Sequence, residues 1–243
     1  MISVCLASYN GERYIKKQIL SILSQLSSDD ELIVSDDHST DGTLSILSAI
    51  NDHRLKVYSN NLISAKKHRY ANAHYRVAKN FENALSHATG DYIFFSDQDD
   101  IWLPNKVELT LSALQRYELV MSNYAVIDEN GRMVKTEFYS TSPIYRSCLL
   151  NLIRLPFHGC CMAFRKEILD YSMPFPSELI AHDNWIGMCS CIKKCKIGYI
   201  NRPLIQYRRH QFNVSPLKKN NLNPLWFKIW YRAVLTFQLL KTM

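Results

Sequence analysis

Apolar and polar positions in the first part of the chain follow two alternating rhythms. Short apolar runs read as strands: Ile2 to Ala7, Glu31-Leu32-Ile33-Val34-Ser35, Leu55-Lys56-Val57-Tyr58 and Tyr92 to Ser96. Between them, apolar residues return at helical spacing. Ile15, Ile19, Ile22, Leu23 and Leu26 do so within Tyr14 to Leu26, and Thr43 to Ile50 and Val77 to Ala88 follow the same rule. Strands alternating with helices predict βαβ units and an α/β domain, with a mostly parallel central sheet flanked by helices. Ligands in such sheets bind beyond the carboxyl ends of the strands. The polar motifs sit at those ends: Ser8-Tyr9-Asn10-Gly11, Asp36-Asp37 and Asp97 to Asp100. One shared site accounts for them better than three unrelated loops.

The later pattern is less regular. Leu119 to Ser122, Ala125 to Ile127 and Cys160 to Phe164 suggest strands, as do Ile197 to Ile200 and Leu204 to Tyr207. Asp128-Glu129-Asn130-Gly131 is a hairpin turn with a residue suited to positive φ. Asp183 to Lys194 reads as a helix. Residues 61–76 are polar and basic (Lys66, Lys67, His68, Arg69, Arg76) and read equally as a flap or a solvated loop. Without an internal repeat or a low-complexity linker, residues 1–215 form one domain and 216–243 an extension. The extension starts at Asn223-Pro224, a helix-start signal. Lys228, Arg232 and Thr236 make a narrow polar stripe on an otherwise apolar, aromatic helix. Such a helix suits a membrane interface, and packing on the domain or on a second subunit also accounts for it.

Composition narrows the partners. A formal charge of +7 over 243 residues favours anionic ones: nucleotides, phospholipid headgroups or nucleic acid. Seven cysteines give no regular disulfide framework, which points to a reducing, cytoplasmic setting. Cys189-x-Cys191-x-x-x-Cys195 lacks the second half of a zinc site and reads as buried thiols. The amino terminus reads as a strand rather than a signal peptide, and no apolar run has membrane-spanning length.

The strongest chemical signal is Ser96-Asp97-Gln98-Asp99-Asp100, directly behind Tyr92-Ile93-Phe94-Phe95. One Asp there would be a solvated turn or a helix cap. Three carboxylates repel one another and want water or a cation. Hard oxygen ligands suit Mg²⁺ or Mn²⁺, and such an ion carrying a diphosphate resolves the conflict.

With these motifs in order, the chain resembles family 2 glycosyltransferases of the GT-A fold from residue 1 to about residue 215. The resemblance rests on Ala7-Ser8-Tyr9-Asn10, the run Val34 to Thr43, Ala88-Thr89-Gly90-Asp91-Tyr92 and Asp97-Gln98-Asp99-Asp100. It continues with His158-Gly159-Cys160-Cys161-Met162-Ala163-Phe164-Arg165 and His182-Asp183-Asn184-Trp185. It implies a nucleotide-sugar-binding half (1–118), an acceptor-binding half (119–215) and inverting transfer of a sugar from a nucleoside diphosphate. Asp97 and Asp99 match the family's Asp-x-Asp pair, Asp97 meeting ribose or metal and Asp99 ligating the metal, with Asp100 a support or helix cap. Ser8, Tyr9, Asn10 and Glu12 match the nucleoside-pocket loop, and Asp36 and Asp37 the acidic pair that bonds base and ribose. Asp41 is a helix start. Lys79, followed by Asn80, meets base or phosphate, or is a solvated Lys. Asp183 matches the general base. His158, Gly159, His182 and Trp185 fall on the acceptor side, with a core role for Trp185 equally open. His210 completes the metal shell in some relatives, and Arg208 or Arg209 grips the diphosphate.

The forms Asp97 to Trp102 and His182 to Trp185 are similar to the rhamnosyltransferase-like branch, which builds bacterial surface polysaccharides (capsule, O-antigen). A deoxythymidine diphosphate-rhamnose donor comes first, UDP-galactose or UDP-glucose next, with a saccharide or lipid-linked saccharide as acceptor. The cytoplasmic setting read from the cysteines becomes the inner face of the plasma membrane if the C-terminal helix meets lipid. Two rivals differ on residues. A metal-dependent nucleotidyltransferase acting on sugar phosphates usually has a Gly-rich phosphate loop near the first strand, and Ser8-Tyr9-Asn10-Gly11 is not one. An RNA-binding module needs basic residues interleaved with exposed aromatics, and here acidic groups converge instead.

Overall fold

A computed structural model describes residues 1–61, 72–177, 179, 181–211, 213 and 224–241. Its sheet begins with β1 (Ile2–Ser8), β2 (Glu31–Asp36), β3 (Leu55–Ser59) and β4 (Tyr92–Asp97). β1, β2 and β4 are almost wholly buried, so their apolar runs are continuous rather than alternating. Helices α1 (Ile15–Leu23), α2 (Thr43–Ser48) and α3 (Asn72–Ser86) connect them. The second half supplies β5 (Ile101–Trp102), α4 (Lys106–Leu114), β6 (Leu119–Ile127), β7 (Met133–Lys135) and α5 (Cys148–Arg154). It continues with β8 (Met162–Arg165), α6 (Leu169–Ser172), α7 (His182–Ile192), β9 (Ile197–Arg208) and α8 (Leu225–Leu240).

The strands lie in the order β3-β2-β1-β4-β8-β6-β9-β5, with β7 paired to β6. The expected parallel arrangement holds from β3 to β4. Beyond β4 the sheet is mixed, because β8 runs antiparallel to both of its neighbours, β4 and β6. β6 and β9 are parallel, and β5 runs against β9.

Two pairs of expected short strands are in fact single bulged strands. β6 runs through Asn123, where the register with β9 shifts. The Asn123 side chain takes over the missing ladder bonds: Oδ1 accepts from the backbone N–H of Tyr124 and Tyr139 (both 3.0 Å), and Nδ2 donates to the Tyr139 carbonyl (2.7 Å). β9 passes Pro203 at the same slip, where a missing N–H does no harm. The expected hairpin at Asp128–Gly131 is present, Gly131 at φ +86°.

α3 starts at Asn72, five residues ahead of the expected Val77, with Tyr75 already buried in its first turn. It takes in the end of the basic stretch; residues 62–71, including Lys66, Lys67, His68 and Arg69, lie outside the described residues. Asp41 starts α2 as expected, accepting from Thr43 N–H (3.0 Å). α8 follows Pro224, and its polar stripe turns inward: Arg232 donates through Nε and Nη2 to the Ile153 carbonyl at the end of α5 (3.0 and 2.9 Å). Phe227, Leu235 and Leu239 are buried beneath it. Among the described residues, no helix is long and apolar enough to cross a membrane. All seven cysteines are free thiols.

Candidate active site

The site stands on aligned strand ends. Ser8 of β1 is in register with Asp36 of β2, and Ala7 with Asp97 of β4. The loop after β1 is held by side chains. Tyr9 N–H donates to Gln98 Oε1 (2.9 Å), Asn10 N–H to Ser39 Oγ (2.8 Å), Gly11 N–H to Thr43 Oγ1 (2.7 Å) and Glu12 N–H to Asp41 (3.1 Å). Gln98 Nε2 returns a bond to the Tyr9 carbonyl (2.9 Å), clamping this loop to the acidic motif. Asn10 takes φ +48°, which Asn tolerates, and its Oδ1 accepts from Thr40 N–H. Every backbone donor from 9 to 12 is therefore engaged, and no phosphate cradle is free there.

The acidic pair divides. Asp36 is buried and accepts from Ser8 Oγ (2.8 Å) and from Ser39 N–H and Oγ (2.8 and 2.6 Å), so it braces the loop. Asp37 accepts from Arg76 Nε (2.7 Å) and Asn60 Nδ2 (3.1 Å). The Arg76 guanidinium lies over the ring of the exposed Tyr9, 4.3 Å from its centroid. Glu12, expected beside the nucleoside, instead accepts from Gly42 N–H at the start of α2 (2.7 Å). Lys79 is ion-paired with Glu82 along α3, and its neighbour Asn80 donates to the Ser8 carbonyl (2.9 Å).

The carboxylates are arranged by β9 and the segment just after it. Arg208 N–H donates to Asp100 Oδ1 (3.0 Å), and Arg208 Nε to the Asp99 carbonyl (2.8 Å). Arg208 is buried over the Tyr14 ring and so organises the motif rather than standing ready for a diphosphate. His210 Nε2 meets Asp99 Oδ2 at 2.7 Å, and Asn213 Nδ2 donates to the same oxygen (3.1 Å). Arg209 is half-buried, anchored by its N–H on the Ile127 carbonyl. Asp100 does not cap α4, which begins six residues later at Lys106.

Burial pushes the Asp97 carboxyl up to about 7, helped by the charges of Asp99 and Asp183. Asp97, Asp100 and the Cys160 thiol bring ligand atoms within 4.8 Å of one another. Asp100 Oδ2 is buried without a hydrogen-bond partner among the described residues. Asp99 and His210, expected with Asp97 as ligands, are paired with each other and lie outside this group. Crowded carboxylates and one orphaned oxygen fit a hard divalent cation such as Mn²⁺ or Mg²⁺.

Facing them is the start of α7. Asp183 Oδ2 accepts from Gly159 N–H (3.1 Å), and its Oδ1 from Asn184 N–H (2.7 Å). His158 Nε2 meets the Tyr139 hydroxyl at 2.8 Å, on the same side. The neighbouring aromatic residues do not face an acceptor. His182 is buried and stacked on Phe81 (centroids 3.9 Å apart), and burial lowers its imidazole to about 4. Trp185 is buried and donates through Nε1 to the Ser172 carbonyl (2.8 Å), so it has no face left for a sugar. The sequence alone gives no role to Gln98, Arg76 or Asn213: amides carry no titratable signal, and Arg76 sits at the end of a basic stretch.

Comparison with known proteins places the chain in a family. The model of the family described as glycosyl transferase family 2 matches residues 3–172. The glucosyltransferase WfgD of Escherichia coli (UDP-Glc:alpha-D-GlcNAc-diphosphoundecaprenol beta-1,3-glucosyltransferase) is 28% identical over 235 residues, 93% of this chain and 84% of that protein. The dTDP-rhamnosyl transferase RfbG of Shigella flexneri is 30% identical over 251 residues, 95% and 82% of the two chains. Glucosyl-3-phosphoglycerate synthase from Mycobacterium tuberculosis, solved with Mn²⁺, uridine diphosphate and phosphoglyceric acid, shares the fold. Its TM-score is 0.60 at 23% identity, over 100% of this chain and 78% of that one. Other solved chains of this fold are longer, and this chain spans 60–61% of their length. The chain belongs to glycosyl transferase family 2. It is a glycosyltransferase of the GT-A fold.

Proposed function

We propose that the protein transfers a sugar, with inversion, from a nucleoside diphosphate to a saccharide carried on a lipid, at the cytoplasmic face of the membrane, in the synthesis of a bacterial surface polysaccharide. The observation that carries this reading is the alignment of acidic groups at adjacent strand ends, Asp36 in register with Ser8 and Asp97 with Ala7, where the charges of Asp99 and of Asp183 from α7 both act on Asp97. RfbG favours deoxythymidine diphosphate-rhamnose as donor, and WfgD makes UDP-glucose the next to try; UDP-galactose comes third. WfgD also supports a lipid diphosphate-linked acceptor.

Tyr9, Asp37 and Arg76 offer an aromatic face, an acceptor and a cation to the nucleoside. Ser8, Asn10, Glu12 and Asp36 support them by holding the loop. Asp183, oriented by two backbone N–H groups, removes the proton of the acceptor hydroxyl. The hydroxyl oxygen then bonds to the anomeric carbon while the bond from that carbon to the diphosphate breaks, and the nucleoside diphosphate leaves. Asp97 and Asp100 would hold the divalent ion, with the paired Asp99 and His210 as its further ligands. Bound there, the ion supplies positive charge against the departing diphosphate. Arg209, whose guanidinium lies 5.7 Å from the Tyr207 ring centroid, would grip the diphosphate. The engaged donors at 9–12 speak against the nucleotidyltransferase alternative.

Nucleoside diphosphate release, measured with each donor and a lipid-linked N-acetylglucosamine acceptor, tests the reading. Asp183→Asn lowers transfer by about 10²–10⁴-fold and leaves donor binding by calorimetry intact. Unchanged transfer would assign the proton to another group. Asp99→Ala abolishes activity that depends on added Mn²⁺; near wild-type activity removes the metal from the reaction, and pyrophosphate as product removes glycosyl transfer.

A further inference from the structure

Two helices far apart in sequence present apolar side chains at one edge of the protein. On α8, Leu225, Trp226, Ile229, Phe237 and Leu240 are each more than half exposed, and none of its exposed residues before Lys241 is polar. On α5, Leu149 and Ile153 are also more than half exposed. Arg232 ties the two helices together through the Ile153 carbonyl, consuming the polar stripe that would otherwise have faced outward. An apolar surface of this kind on a water-soluble domain marks an interaction site.

Charge identifies the occupant. Residues 184–243 contain eleven Lys and Arg and no Asp or Glu. The other 183 residues carry eighteen Lys and Arg against all twenty-two Asp and Glu. Residues 138–166, which include α5, hold four basic residues and no acidic one. Exposed Arg146, Arg154 and Lys241 flank the apolar side chains. A second copy packed on this face would bring cation against cation with no carboxylate to compensate. A bilayer with anionic headgroups matches both features, since apolar insertion and a polybasic flank are the two signals that together anchor a peripheral protein.

We infer that α5 and α8 together form a membrane-docking face that seats the protein on anionic phospholipid. The inference rests on the reading of a lipid-linked acceptor and deepens it. α8 packs against α7, close enough for the charge of Asp183 to act on Tyr231 of α8. The docked face thus sets the candidate base beside the surface from which such an acceptor rises.

Flotation of the full chain with vesicles of phosphatidylethanolamine and phosphatidylglycerol tests this without any substrate. The protein floats with them, does so less at high salt, and stays behind with phosphatidylcholine alone. Ile229→Glu with Phe237→Glu lowers the bound fraction by at least about tenfold while donor hydrolysis in solution and the circular dichroism spectrum are unchanged. Arg154→Glu with Lys241→Glu weakens binding in the same direction and leaves less salt dependence. Equal flotation with phosphatidylcholine, wild-type flotation of the double Glu variant, or a dimer by light scattering that this variant dissolves without any vesicle binding would each overturn the proposal. Donor hydrolysis is read separately, so failure of the docking face and failure of the enzymatic reading are told apart.

Discussion

At Glu31 a buried carboxylate is the joint between elements. Its Oε1 accepts from Ser3 Oγ and from Thr89 N–H and Oγ1, and its Oε2 from Lys56 Nζ. Burial pushes this carboxyl up, but the bonds from Lys56, Ser3 and Thr89 outweigh burial and hold it at about 2, below its ordinary 4.5. A depressed carboxyl contributes stability that is fully present above pH 4.5 and is lost as pH falls from there towards 2. Glu31→Gln therefore lowers stability at neutral pH by about 1–3 kcal/mol and flattens the acid limb of a stability–pH profile measured by urea unfolding. An unaltered acid limb would show that the joint does not depend on charge. The same residue-scale logic separates what was legible at the site from what was not. Asp97, Asp99 and Asp183 announced themselves, because carboxylates at strand and helix ends need a reason. Gln98 and Asn213 did not, because an amide becomes informative only when its partners are known.

Among the elements, α7 shows how packing decides between readings that residue type leaves open. Its position could be read from the apolar spacing, but which of its residues face the cleft could not. Asp183 turns to the rim, whereas His182 and Trp185 on either side of it turn to the core. Gly159 allows this arrangement. A Cβ there would sit 2.9 Å from His182 Nε2 and 3.6 Å from Asp183 Cβ. Gly159→Ala thus displaces the candidate base, and transfer falls by about 10–10²-fold while the donor dissociation constant holds. If kcat is untouched, the close approach of the two segments plays no part in positioning Asp183. The strands tell a similar story. β1, β2 and β4 could be read from continuous apolar runs, but β6 and β9 looked broken, because Asn123 and Pro203 sit at bulges repaired by tertiary bonds.

On the scale of the whole molecule, the parallel half of the sheet came from the alternation of strand and helix. The mixed half did not. Nothing local to Met162–Arg165 says that β8 lies between β4 and β6. The inward turn of Arg232 likewise depends on a carbonyl seventy-nine residues away. The same long reach governs the acidic motif. Asp100 and Asp99 take their partners from Arg208, His210 and Asn213, sequence separations of 108 to 114. A ribosome that has just released the acidic motif has therefore made its charges but not their mould. The nascent chain carries an unshaped anionic loop until the strand between β6 and β5 is threaded home, and contacts this distant form late. Competence for catalysis thus waits until Arg208 and the residues just after it are made, and a fragment cut short of Arg208 would have the nucleotide-side strands without a working centre.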